Sequence, residues 1–286
     1  MDYKSYLEMT KPRIVTLVLV TTFLGFVLAK GEIESYYVLL MTLIGTACTC
    51  GGSGVLNHFL EREVDCKMER TRNRPIPSGK VSPANALAFG LLLVILGCTL
   101  LVWQVNTLTG FLALLTTFLY VVVYTPLKQI TWLNTMIGAI PGALPTLGGW
   151  AAASNGLELG GWALFAILFI WQHPHFYAIA WIFRDDYAKG GFKMLPVVDP
   201  EGERLFKHIL YFSLLLIPAS ILPAIHGTLG LVYLICAFFL SIWMLIYSYR
   251  FFNSATKENA WKLFRATIIY LPALLLVVAI DLNLAI

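Results

Sequence analysis

Nine runs of about twenty residues, almost free of charge, follow one another along this chain near 14–30, 36–56, 84–103, 107–124, 134–153, 162–182, 208–225, 229–249 and 264–282. A run of that length spans the hydrocarbon core of a bilayer as a helix, because in lipid each segment must satisfy its own backbone hydrogen bonds. With 58% hydrophobic and 13% charged residues over 286 positions, a soluble fold is excluded. The expected fold class is an all-α polytopic membrane protein with nine transmembrane helices. The run 134–153 is the least regular, broken by Pro141, Pro145 and several glycines. Such residues are tolerated in membrane helices where neighbours re-satisfy the backbone, often beside a cavity.

Charge sets the orientation. With the N-terminus in the cytoplasm, every Lys and Arg except Lys30 falls in an inner segment. That is the bias expected of cytoplasmic loops, so the N-terminus is expected inside and the C-terminus outside. No polar stretch is long enough for a second domain. Residues 1–286 are read as one membrane domain whose longest inner loops are 57–83 and 183–207. These loops follow the second and sixth helices, which hints at a parallel four-helix repeat. The N-terminal segment carries mixed charge and no small-residue cleavage site, so 14–30 is read as a retained helix. Cys48, Cys50, Cys66, Cys98 and Cys236 form no C-x-x-C pair and suggest no disulfide framework.

Chemistry concentrates where the second run meets its loop, at N-H-F-L-E-R-E-V-D. Asn57, Glu61 and Asp65 stand four residues apart. If the helix continues, each step turns about 40° and climbs about 6 Å, which puts an amide oxygen and two carboxylates on one face. Mg²⁺ takes such ligands, using one or two carboxylates and filling its shell with water and substrate phosphate. Arg70, Arg72 and Arg74 follow at once and suit phosphate oxygens. Acids, a divalent cation and arginines at a membrane boundary point to a diphosphate.

A second polar cluster, Asp185 and Asp186, lies just past the sixth run, and could face the first across a shared cavity or be a solvated helix end. Within that run stand His173 and His175. Ring nitrogens at membrane depth need partners and often mark a site. They could be packing residues, or contact a polar substrate as a heme-iron ligand or a base. Two residues apart, they do not share a helix face. His58, His208 and His226 are given no role. After the fourth run, Y-T-P-L-K carries Tyr124 and Lys128; the lysine suits a diphosphate or an ordinary positive-inside anchor.

Taken together, these motifs resemble the UbiA superfamily of intramembrane prenyltransferases, most of all its heme-modifying branch. T-K-P-R at 10–13, N-x-x-x-E-x-x-x-D at 57–65, K-M-E-R-T-R-N-R-P at 67–75, Y-T-P-L-K at 124–128, W-Q-H-P-H-F at 171–176 and R-D-D-Y-A-K-G-G-F-K-M-L-P-V at 184–197 occur in that order. The chain departs from the commoner pattern in having Glu61 for Asp, and in lacking a strict second D-x-x-x-D, since Phe183 and Tyr187 flank the acids.

The resemblance implies a UbiA-type bundle that converts heme B, farnesyl diphosphate and water to heme O and diphosphate. It implies Mg²⁺ on Asn57, Glu61 and Asp65, with Arg70, Arg74 and Lys128 clamping diphosphate. Tyr124, Asp185 and Asp186 would complete the catalytic set, and His173 or His175 would hold heme or the added water. The implied partners are the two substrates, the lipid bilayer, and a heme A synthase or oxidase assembly factor; no nucleic acid is expected. The short N-terminus without an Arg- and Ser-rich transit peptide favours a bacterial inner membrane, with the active site facing the cytoplasm. Two other readings compete. A prenyltransferase for an aromatic quinone precursor predicts a proper second D-x-x-x-D. A secondary transporter predicts acids at mid-membrane.

Overall fold

The computed structural model describes the backbone of residues 2–284 and the side chains of 2–282. Among them there is no strand. The elements are α1 (Tyr3–Met9), α2 (Pro12–Lys30), α3 (Tyr36–Asp65), α4 (Pro83–Gln104), α5 (Thr107–Phe118), a π-helical stretch (Leu119–Tyr124), α6 (Thr125–Ile130), α7 (Asn134–Ser154), α8 (Leu159–Ile182), α9 (Arg184–Lys189), α10 (Leu195–Val198), α11 (Glu203–Ile225), α12 (Leu231–Asn253) and α13 (Lys257–Leu284). The chain is a polytopic membrane protein. Among the described residues, eight helices are long and apolar enough to cross a bilayer, with Thr107–Ile130 acting as one span. Their outward faces carry exposed Leu17, Ile95, Phe239 and Leu276, suited to lipid.

Start signals sit where an orphaned first turn needs an acceptor. Ser35 Oγ accepts from Val38 N at 3.3 Å, Ser82 Oγ from Asn85 N at 3.2 Å and Asn106 Oδ1 from Thr109 N at 2.8 Å. The first turn of α12 has only Gly230 ahead of it. There Asp281 of α13 supplies the acceptors, taking Gly230 N at 2.5 Å and Tyr233 N at 3.0 Å. A carboxylate at a helix N-terminus is also favoured by the helix dipole.

The run 134–153 is the helix α7, which falls short of the others in apolarity and is not among the eight. Its surroundings explain how it persists. It packs against α2, α5 and α8 and is mostly buried. A Cβ on Gly149 would sit 1.9 Å from Thr22 O, and one on Gly25 would sit 2.0 Å from Thr146 O. The backbones of α2 and α7 therefore touch directly, the close approach that small residues permit between membrane helices. At one end of the bundle Asn134 Nδ2 donates to Lys193 O at 3.2 Å, and at the other Asn106 Nδ2 donates to Ala151 O at 2.9 Å. α7 thus runs the length of the bundle.

The loops segregate as charge requires. The α1–α2 turn, residues 66–82, the α6–α7 connection and α9–α10 gather at one end. Lys11 reaches Asn57, Asp186 reaches Glu69, and Lys193 N donates to Lys128 O at 2.6 Å. The polar site is assembled at this end.

Candidate active site

α3 does not stop at residue 56, where its apolar run ends; it continues to Asp65. The inner loop is therefore shorter than the 57–83 read from the sequence. Charge at Arg62 and Glu63 makes the last turns look like a loop, yet these two face outward while Asn57, Glu61 and Asp65 are 1%, 5% and 0% exposed. The four-residue spacing does what it predicts, and the three side chains form one inward stripe.

Basic side chains from three other segments meet that stripe. Residues 66–82 fold back under the end of α3, with Thr71 Oγ1 donating to Asp65 O at 3.0 Å. This brings Arg74 Nη1 to 2.7 and 2.8 Å from the two Asp65 oxygens and 3.7 Å from Glu61 Oε2. Lys128 Nζ lies 2.6 Å from Glu61 Oε1. It also sits 4.6 Å from the centre of the Tyr124 ring, a cation–π contact. Lys11 Nζ donates to Asn57 Oδ1 at 2.5 Å and lies 3.3 Å from Tyr120 OH. Enclosure by protein, and then the neighbouring Arg74 charge, pull the Lys11 amine down to about 7.

The π-helical stretch is the local device behind Tyr120, Tyr124 and Lys128. Its wider turn is of the kind that often marks functional sites. Thr125, just after it, donates to Tyr120 O at 2.9 Å and accepts from Asn57 Nδ2 at 3.1 Å. α3 and the α5–α6 span are thereby joined at the acidic stripe. Tyr124 lies against α7, where a Cβ on Gly138 would meet its ring at 2.5 Å.

Among the described residues no three His, Cys, Asp or Glu side chains are grouped to hold a metal by themselves. Two buried carboxylates and an amide oxygen remain, which fits a hard divalent cation that shares its shell with a ligand. Three basic side chains face two carboxylates, so the site favours an anion as well as a cation.

The other expected residues stand elsewhere. Asp186 Oδ1 accepts from Glu69 N at 3.0 Å, tying α9 to the 66–82 segment. Asp185 points away, with a side chain 95% exposed and 3.8 Å from Arg184 Nε. The two acids thus have different surroundings and do not form a second stripe opposite the first. Arg70 is exposed, 3.4 Å from Tyr187 OH, and lies over the Phe183 and Tyr187 rings. It joins the same two loops without touching the acidic stripe. His173 is fully buried, with Nδ1 2.7 Å from Phe169 O and its ring stacked 3.6 Å from that of Phe212 on α11. His175 Nδ1 lies 2.8 Å from Thr267 Oγ1 on α13, with its ring between Trp171 and Phe264. Both rings engage helices of the second half of the chain, away from the stripe. Lys11, Tyr120 and Thr125 join the site without having been singled out. T-K-P-R did mark Lys11 as part of a motif, but a lysine at the head of an apolar run reads as an anchor.

The family model for the UbiA prenyltransferase family matches residues 18–273. The chain belongs to the UbiA prenyltransferase family. Within it, the chain is 41% identical over 278 residues to a protoheme IX farnesyltransferase of Solibacter usitatus, covering 94% of this chain and 95% of the relative. It is 43% identical over 276 residues to one of Salinibacter ruber, covering 96% and 98%. Among solved structures, a digeranylgeranylglyceryl phosphate synthase superposes with a TM-score of 0.84 at 20% identity, covering 99% of each chain. A UbiA homolog from Archaeoglobus fulgidus, bound to GPP and Mg²⁺, gives 0.65 at 16% identity, covering 96% of this chain and 99% of that one. These structures share the UbiA fold.

Proposed function

We propose that this chain transfers the farnesyl group of farnesyl diphosphate to a vinyl group of heme B, with addition of water, giving heme O and diphosphate. The acceptor is supported by near-full-length similarity to proteins named protoheme IX farnesyltransferase. The donor is supported by one observation above all: the buried Asn57, Glu61 and Asp65 stripe, faced by Lys11, Arg74 and Lys128. A prenyl diphosphate with Mg²⁺ in a family member of the same fold agrees with that reading.

Asn57, Glu61 and Asp65 are the residues that would hold Mg²⁺, which when bound supplies positive charge to the leaving diphosphate. Arg74 and Lys128 present their N–H donors to phosphate oxygens, and Tyr124 positions Lys128 by its ring. Cleavage of the C1–O bond leaves an allylic cation. The apolar bundle below the stripe keeps water from it. The vinyl group attacks C1, and the resulting heme-side cation takes up one water and loses one proton. We assign Asp186 and Arg70 to holding the two inner loops together above the site. Heme contact is assigned to His173 and His175; Nδ1 of each ring is already held, and the buried Nε2 of His173 has no hydrogen-bond partner. α7 is read as the ninth crossing, and the bias of Lys and Arg toward one set of loops supports an N-terminus and an active site on the cytoplasmic side of a bacterial inner membrane.

Membranes containing the protein, supplied with heme B, farnesyl diphosphate and Mg²⁺, should yield a heme heavier by one farnesyl group and one hydroxyl in mass spectra. EDTA should abolish it. Unaltered heme with folded protein present would overturn the acceptor and direct the search to aromatic quinone precursors.

A further inference from the structure

We infer that Lys11 is a substrate-binding residue whose ammonium is aimed at the diphosphate by a strained turn seated on the glycines of α3. The inference rests on the proposed use of a prenyl diphosphate, and it assigns a further residue to that site.

Three observations carry it. The first is backbone strain. Lys11 has φ 55° and ψ 62°, the left-handed region, which is unfavourable for a lysine. Proline follows at once, and a residue before proline is normally held extended. Among the described residues, the other non-glycine residue with positive φ is Asn155, at the end of α7, and asparagine tolerates that conformation. Strain of this kind persists where the surroundings fix it, and it clusters at functional sites.

The second observation is the seat. Met9, just ahead of the turn, is fully buried against Val55 and Ile76. A Cβ on Gly54 would lie 3.1 Å from Met9 O and 3.3 Å from Thr10 O, and one on Gly51 would lie 3.3 Å from Thr10 Cβ. The C-G-G-S-G sequence thus lets the turn rest on α3 one helical turn ahead of Asn57. That contact fixes where Lys11 begins.

The third is the direction of the side chain. A lysine serving only as an inner-face anchor extends its ammonium to lipid headgroups, as exposed Lys4 and Arg13 are free to do. Lys11 instead turns inward to Asn57 Oδ1 and Tyr120 OH. Glu61 and Asp65 have their own cations in Lys128 and Arg74. Lys11 is therefore not needed to neutralise a carboxylate. It contacts a neutral amide and a phenol, and its charge is left for an anion that enters beside them.

The test uses the full chain in detergent with Mg²⁺, titrated calorimetrically with inorganic diphosphate. Lys11→Met should weaken binding roughly 10- to 100-fold, the loss expected for a charged hydrogen bond. Lys11→Arg should restore most of it, and Arg13→Met should leave it unchanged. A purely structural tether would lower the melting temperature of Lys11→Met without changing diphosphate affinity, and that result overturns the inference. If Lys11→Met does not fold, the native protein answers instead. Diphosphate should protect the Lys11 amine from acetic anhydride, read by peptide mass spectrometry, and equal labelling with and without it overturns the inference. Wild-type protein that binds no diphosphate would refute the proposed donor itself, an outcome distinct from either.

Discussion

Replacing Arg74 by methionine isolates the ion pair that closes the acidic stripe. Asp65 is wholly buried, and both its oxygens depend on Arg74 Nη1 at 2.7 and 2.8 Å. Glu61 is cushioned, because it keeps Lys128 at 2.6 Å. The cost of the substitution therefore falls on Asp65. Stripping one partner from a buried pair costs about 3–5 kcal/mol, because the remaining charge is left in a poor solvent. The Arg74 side chain is 20% exposed, so its attraction is partly screened and the lower figure applies. About 3 kcal/mol is roughly a hundredfold in the folding equilibrium. Asp65→Asn in the same background removes the stranded charge. The double variant should recover about 2 kcal/mol of that loss, and this recovery together with the cost of Asp65→Asn alone is the coupling a double-mutant cycle measures. Stability would be followed by SDS titration of protein in mixed micelles, reading helical circular dichroism and tryptophan fluorescence without Mg²⁺ or substrate. A loss for Arg74→Met within about 0.5 kcal/mol, the size of an ordinary surface change, would refute the argument. So would a coupling indistinguishable from zero.

The two acids of α9 should separate in steady-state turnover. Asp186→Asn weakens the anchor on Glu69 N and should raise the KM for farnesyl diphosphate several-fold, whereas Asp185→Asn should be silent because its side chain is 95% exposed. Equal effects would contradict their different surroundings. Gly149→Ala places a methyl group 1.9 Å from Thr22 O, so α2 and α7 must part. Overpacking of this kind costs about 1–3 kcal/mol, and thermal unfolding in detergent should show a lower midpoint. An unchanged midpoint would mean that the helices are not held in contact there.

Legibility in the sequence followed the physics of each signal. The apolar runs became helices because lipid leaves a backbone no other solution. The Asn57, Glu61 and Asp65 stripe was readable because a four-residue spacing fixes a helix face. Its helix was cut short at 56 because Arg62 and Glu63, which face outward, carry as much charge as a loop. Asp185 and Asp186 looked equivalent because adjacent residues carry no facing information until the helix around them is placed. Lys11 was hidden because its direction is set by a left-handed turn and a glycine seat on another helix. α7 fell between categories, since apolarity measures affinity for lipid and this helix is surrounded by protein.

The protein surroundings of α7 bear on how the chain is made. A segment leaves the translocon for the bilayer according to how well lipid dissolves it, and α7, with two internal prolines and several glycines, is a poor solute there. Its solvent is α2, α5 and α8. α2 and α5 have been synthesised when α7 emerges, but α8 has not. The newborn α7 therefore has only part of its eventual surroundings, and the glycine contact with Thr22 is the earliest direct backbone seat open to it. α2, the first crossing helix laid down, thus offers α7 a protein surface in place of lipid before α8 exists.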